Sequence, residues 1–305
     1  MPTPATTPPE YGPPWVGIAW MILTGFLFVL VTGIVRYIGS NVPAAEAAFI
    51  RYALGMLIMA PFIRSAFKSG IGHKSLGTYA LRGATHSIGV ILWFYAMAHI
   101  PIAEVTAIGY TAPIYITIGA AIFFGERMAA RRIIAVVAAF IGAIIILRPG
   151  LHEITSGQMA QVLAAPLFAI SYLLAKGLSK DKDPAAIVGM LSLFVTIGLA
   201  PFAYMVWQPP GISEVLWLGL VAVFATLGHF TMTKALHAAP LMVTQPVTFL
   251  QLVWATILGA TVFNEAVDFW VLMGGGVIIA AVSFISYREW VVTRRAKTPA
   301  VMAIR

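Results

Sequence analysis

The amino-acid sequence predicts an all-α integral membrane protein: ten transmembrane helices in two five-helix repeats of inverted topology, with both termini in the cytoplasm. Three observations carry this prediction: an apolar excess, ten bilayer-length apolar runs, and an ungapped self-similarity between the two halves. Hydrophobic types make up 60% of the 305 residues and charged types only 10%, with a mean hydropathy of +0.91. An ordinary soluble domain carries about 25% charged residues, which it needs to cover its surface. A water-soluble enzyme is excluded on that ground.

The apolar runs fall at 15–36, 44–62, 76–98, 101–124, 131–148, 156–178, 184–207, 213–237, 240–263 and 268–287. Each approaches the ~20 residues a helix needs to cross ~30 Å of hydrocarbon. The fifth is the weakest, because Ile133 to Leu147 is uncharged over only 15 residues. It needs the long stems of Arg131 and Arg132 to reach the headgroups. Residues 1–14 are rich in Pro and Thr and carry no Lys or Arg. They read as a cytoplasmic tail rather than the basic start of a signal peptide, so the first run is expected to stay as a helix.

Lys and Arg set the orientation. Of the 19, fourteen fall on the side that holds both termini and two, Arg36 and Arg148, on the other. Arg51, Arg82 and Lys234 lie inside spans. Such a bias places both termini in the cytoplasm, and residues 288–305 become a basic cytoplasmic tail. The net charge of +8 then reports membrane orientation, and no nucleic-acid partner is expected.

A shift of 139 residues puts Pro101 on Pro240, Gly89 on Gly228, Tyr110 on Phe249, Phe124 on Phe263 and Glu126 on Glu265. A shift of 140 puts Phe28 on Phe168, Arg36 on Lys176, and Ala60-Pro61-Phe62 on Ala200-Pro201-Phe202. Each half, 15–148 and 156–287, then holds five spans. Five is odd, so the second half enters the membrane from the opposite side. Inverted repeats of this kind place substrate near the midplane between the halves.

Polar groups at membrane depth are costly and need a partner or a purpose. Arg51 is expected to pair with Glu46 or Glu104, either as a static ion pair or as an outer gate or a proton site in exchange. His86 and His229 sit in corresponding spans, each on a polar stripe. His86 shares its stripe with Trp93. Both stripes face protein or water, lining a pore or bonding between helices. Spans four and nine add Tyr110, Gln245 and Thr248, and span six adds the mid-span Tyr172. Pro113, Pro166 and Pro246 each remove a backbone donor, which leaves a hinge, a packing kink, or a carbonyl free to take an ammonium group. Gly274-Gly275-Gly276 lets span ten pack closely within the chain. A dimer is conceivable, but one chain suffices.

These residues resemble the drug/metabolite transporter superfamily, in its ten-helix form with two EamA-like halves. The first half carries Pro101-Ile-Ala-Glu104, Pro113, Phe124-Gly-Glu126, Gly142 and Arg148-Pro-Gly150. The second carries Pro240, Phe263-Asn-Glu265 and Gly274. Leu252 stands where the first half has Pro113, Asn264 replaces Gly125, and Ala281 replaces Gly142. The resemblance is nearest to bacterial inner-membrane exporters of aromatic and other neutral amino acids. It implies alternating access around a cavity lined by spans one, three, four, six, eight and nine, with five and ten outside. The substrate-binding residues expected are His86, Trp93, Tyr110, Tyr172, His229, Gln245 and Thr248. Export of a drug, nucleotide sugar or other metabolite by the same fold is the alternative, and an intramembrane enzyme a distant one. The sequence has no GxxxxGK[ST] phosphate loop, no HExxH or GxSxG motif and no cysteine. ATP-driven pumping, a metal centre and a cofactor are therefore not expected.

Overall fold

The computed structural model describes residues 14–68, 72–124, 130–151, 153–178, 184–238 and 247–297. Among them the regular elements are helices: α1 (Pro14–Ile38), α2 (Ala44–Lys68), α3 (His73–His99), α4 (Ile102–Gly109), α5 (Ala112–Phe124), α6 (Ala130–Leu147), α7 (Ser156–Leu178), α8 (Pro184–Val206), α9 (Ile212–Ala238), α10 (Leu250–Val262) and α11 (Phe269–Lys297). Hydrocarbon offers a backbone no water to bond, so so apolar a chain closes its hydrogen bonds within each segment. Five stretches are long and apolar enough to cross a membrane: Trp15–Ile38, Ala44–Lys68, Ser156–Ala175, Ala186–Val206 and Ile212–Met232. Large apolar side chains stand on the outer surface, among them Leu57, Ile134, Val137, Ile141, Leu227 and Phe230. Lipid is the solvent that accepts such a surface.

The sequence places one helix over 101–124, and the structure divides it at Tyr110 and Thr111. Pro113 has no N–H to give the Gly109 carbonyl, so the chain tightens locally. Thr111 N–H bonds to the Ile108 carbonyl at 3.0 Å, and Ile114 N–H to the Thr111 carbonyl at 3.0 Å. A matching interruption falls at Phe249, just before α10. Phe249 is the residue that the 139-residue shift sets on Tyr110. Pro240, Gln245 and Pro246 lie outside the described residues.

Packing runs largely between the halves. α1 lies along α9, α3 along α7, α2 along α8 and α6 along α11. The first two pairs exchange when the halves are swapped, and the last two map onto themselves. One contact is duplicated in detail. A Cβ on Gly228 would lie 3.3 Å from the Phe28 ring, and one on Gly89 would lie 3.2 Å from the Phe168 ring. These are the glycines and phenylalanines that the sequence shifts superpose. Tyr110 and Phe249 meet edge to face at 5.2 Å between their centroids.

Contacts also give the directions. Tyr95 meets Ser156 while His86 meets Ser171, so α3 and α7 run antiparallel. Thr24 meets Thr231 while Tyr37 meets Trp217, so α1 and α9 do too. By contrast α1 and α10 run parallel, with Gly25 near Gln251 and Gly33 near Leu258.

Small residues set the closest approaches. A Cβ on Gly142 would lie 2.7 Å from the Gly274 carbonyl oxygen, and one on Gly274 would meet the Gly142 carbonyl in return. Gly142→Ala is therefore expected to push α6 off α11 and lower the thermal midpoint in detergent, at the ~1–3 kcal/mol typical of overpacking. Gly276→Ala, with nothing within 4 Å of its Cβ, is expected to leave the midpoint unchanged or raise it slightly.

Candidate functional site

A side chain on the inward face of a packed helix should be covered. Four are not. Tyr172 is 56% exposed although it follows Ser171 at 2% and precedes Leu173 at 6%. The outward residue Ile170 is two positions away, roughly 200° round the helix. His229 is exposed on the face that carries Ala222 and Ala225, both 1% exposed, while Leu227 and Phe230 face outward. His86 and Trp93, seven residues apart, are partly open between the covered Val90, Phe94 and Met97 of α3. Exposure on faces that otherwise pack inward points to open space between the helices beside these four side chains.

The sequence signals that placed them there are short-range: polar or aromatic residues on otherwise apolar helices. Their partners come from other helices and were not legible. His86 Nε2 lies 2.9 Å from the Tyr52 hydroxyl of α2, and Nδ1 lies 3.0 Å from Ser171 Oγ of α7. The imidazole is edge-on to Phe168, with centroids 5.0 Å apart, and Trp93 meets the same ring at 6.2 Å. Across the bundle, His229 is edge-on to Phe28 at 5.2 Å. Each half thus contributes one phenylalanine of the superposed pair, and each ring carries a histidine. With both ring nitrogens engaged, His86 positions α2, α3 and α7 around the open space. Tyr52, Ser171, Phe28 and Phe168 join the site without having been expected.

Tyr110 donates its hydroxyl to the Thr248 carbonyl at 3.2 Å. Spans four and nine are thereby tied at their two interruptions. Of the hinge prolines, Pro113 accompanies the break described above, whereas α7 continues as a helix through Pro166. Gln245 and Pro246 cannot be placed, because they fall outside the described residues.

The ion pair expected for Arg51 does not form. Glu46 lies five residues earlier, roughly 140° round α2, and its Oε2 accepts the Gln208 N–H at 2.9 Å. Glu104 Oε1 accepts the Gln158 side-chain amide at 2.5 Å. The Arg51 guanidinium instead lies over the neighbouring Tyr52 ring, 3.9 Å from its centroid. The carboxylates that do pair sit at helix ends. Glu265 Oε1 accepts Arg36 Nε at 2.9 Å and its Oε2 accepts Ile102 N–H at 2.9 Å, while Arg36 Nη1 donates to the Ala98 carbonyl at 2.7 Å. One carboxylate and its arginine thus join the ends of α1, α3 and α10 to the start of α4. Arg148 and Asp268 pair at 2.5 Å. A cavity of about 320 Å³ opens near the Arg36 end of the bundle, between the α1–α2 turn and α3, walled by Val35, Ile38, Phe94, Tyr95 and His99.

A family model described as the EamA-like transporter family matches residues 15–148 and again 155–287. The chain belongs to the EamA-like transporter family. It is similar to a riboflavin transporter of Vibrio cholerae, 28% identical over 93% of this chain and 97% of that one. An S-adenosylmethionine uptake transporter of Rickettsia bellii is 25% identical over 90% and 94%. A pseudopaline exporter of Pseudomonas aeruginosa is 24% identical over 87% and 94%. The EamA-like chain is a multi-pass membrane transporter of small molecules and not an enzyme.

The chain has no cysteine, so the open space can be tested by single-cysteine labelling. Tyr172→Cys and His229→Cys are expected to react with a charged thiol reagent, which needs water to reach the thiolate. Ile170→Cys and Phe230→Cys, facing lipid, are expected to react at least about tenfold more slowly. Equal rates at all four positions would rule out a wet interior. The Arg36–Glu265 pair is expected to show a coupling of about 1–3 kcal/mol in a double-mutant cycle of Arg36→Gln and Glu265→Gln, read from unfolding in detergent.

Proposed function

We propose that this chain is a secondary transporter in a bacterial inner membrane, carrying a small metabolite with a flat ring by alternating access. The observation that carries the reading is the set of open, polar and aromatic side chains on helix faces that are otherwise covered. His86, Trp93, Tyr172 and His229 surround it, with Phe28 and Phe168 as the ring pair. Tyr110 and Thr248 close it toward spans four and nine. Gln245 belongs to the same set by its place in the sequence.

Ten spans account for the helix directions, if α4 and α5 form one crossing and the segment before α10 completes the ninth. Alternate crossings then make α1 antiparallel to α9 and parallel to α10, which agrees with the contacts. The Lys and Arg bias puts both termini in the cytoplasm. The two repeats, 15–148 and 156–287, lie between a cytoplasmic tail at 1–14 and a basic one at 288–305. Both copies of the lining come from one polypeptide, so a single chain suffices.

The relatives are named for uptake and for export and for three different substrates, so neither direction nor cargo follows from them alone. Riboflavin presents a flat ring system of the kind that edge-on aromatic side chains receive. Export of an aromatic or other neutral amino acid is the second reading. The Gly109 carbonyl, to which Pro113 cannot donate, favours it as a place for an ammonium group.

Purified protein in liposomes tests both readings through exchange of labelled riboflavin and labelled tryptophan. Movement of either supports a ring-bearing cargo. If neither moves, and no other flat-ring solute does, the reading falls. His229→Ala is expected to lower the exchange about tenfold, the loss of ~1.4 kcal/mol of binding, with normal folding. His86→Ala is expected to lower both exchange and thermal midpoint, since it also unties three helices.

A further inference from the structure

The open space is charged in a way that the proposed cargo, taken only as a flat ring, does not explain. Arg51 and Arg82 lie within electrostatic reach of both His86 and His229, and the two imidazoles are within reach of each other. Among the described residues no carboxylate forms an ion pair with either arginine. Glu265 and Asp268 are spent on Arg36 and Arg148, Glu104 on Gln158, and Glu46 faces Gln208. Arg82 is 8% exposed and donates Nη1 to the Ile187 carbonyl at 3.0 Å. Its Nε is buried with no partner among the described residues. The Arg51 guanidinium sits on Tyr52, whose hydroxyl meets His86.

We infer that the cargo is an aromatic anion, a flat ring bearing a carboxylate or phosphate, whose negative group is met by Arg51 beside the Tyr52–His86 pair while the ring lies against Phe168 and Trp93. This rests on the transport reading above and narrows its substrate class. The argument is electrostatic. A guanidinium remains charged at any physiological pH and is planar, with donors suited to carboxylate and phosphate. It tolerates a membrane interior while water reaches it. When the chamber closes, that water leaves, and an uncompensated pair of guanidinium groups resists occlusion. An anionic cargo replaces the water and lets the loaded carrier close. An uncharged ring leaves the charge unmet, and a zwitterion brings an ammonium group into a field of its own sign.

Flavins supply a matched pair: riboflavin is uncharged near neutral pH, and flavin mononucleotide is the same ring and polyol with a phosphate. Indole-3-acetate and indole-3-acetamide supply a second. The full chain in liposomes is assayed for uptake of each compound at equal concentration. The anion of at least one pair is expected to move about tenfold faster than its neutral partner. Arg51→Gln is expected to collapse that preference by slowing the anion, and Arg51→Lys to retain much of it. If the neutral compound moves as fast as its anion in both pairs, or the preference survives in Arg51→Gln, the charge inference is overturned and transport of a flat ring still stands. If none of the four compounds moves, the anion inference is overturned, and the transport reading is decided by the wider set of flat-ring solutes in the exchange assay above. Should Arg51→Gln not fold, the wild-type comparison and Arg51→Lys decide.

Discussion

A backbone in hydrocarbon has no water to complete its hydrogen bonds, and the rest of this structure follows from where that rule is kept and where it is broken. The helix ladders keep it across the outer surface, where Ile134, Val137 and Phe230 meet lipid. It is broken at Tyr110–Thr111 and at Phe249, and both interruptions are turned inward against each other. The Tyr110 hydroxyl goes to the Thr248 carbonyl, and its ring goes to Phe249. An interrupted ladder is tolerated only where protein or enclosed water surrounds it, so the two breaks mark the middle of the bundle before any ligand is considered. Pro113 is the chemical cause in the first half.

Self-similarity was the most legible feature, because it needs only the order of residues. Phe28 and Phe168 superpose by sequence, as do Gly89 and Gly228, and the structure joins them as two equivalent contacts. What sequence order could not show was which half pairs with which. Arg36 and Glu265 are 229 positions apart, and no local pattern indicates that they meet. Arg51 illustrates the opposite error. Glu46 is near in sequence and opposite in charge, yet helical geometry turns it toward α8. A buried charge does need compensation, but proximity along the chain is a poor guide to its source. The interruption within 101–124 escaped for a related reason: hydropathy registers length, not continuity. His86 and Tyr172 stood out because a polar or aromatic group in an apolar helix is conspicuous. Tyr52 and Ser171 did not stand out, because what distinguishes them is a contact with a histidine on another helix.

Charge is distributed in a consistent way once the pairs are known. At the helix ends, carboxylates and guanidinium groups neutralise each other and join several elements at once. Glu265 and Arg36 together join four. Toward the middle, Arg51 and Lys234 lie over ring faces and Arg82 donates to a carbonyl. On the proposed reading, stability and recognition are thereby separated along the bundle: the ends hold the helices in register, and the middle keeps charge available.

Equivalence of sequence without equivalence of contact is what the proposed transport cycle requires. The α1–α9 and α3–α7 interfaces exchange under a swap of the halves, but they are fastened differently. Thr24–Thr231 and Tyr37–Trp217 hold the first. His86–Ser171 and Tyr95–Ser156 hold the second, with polar bonds at two levels. Two copies of one fold that can each adopt the other's packing form a two-state element. Were both interfaces fastened alike, the bundle would sit at a symmetric midpoint, closed or open on both sides together. In the proposed cycle, unequal fastening would displace it to one side. A cargo that bridges Arg51 and the Phe168 ring acts on the α3–α7 interface directly, where it can bias the choice between the two states.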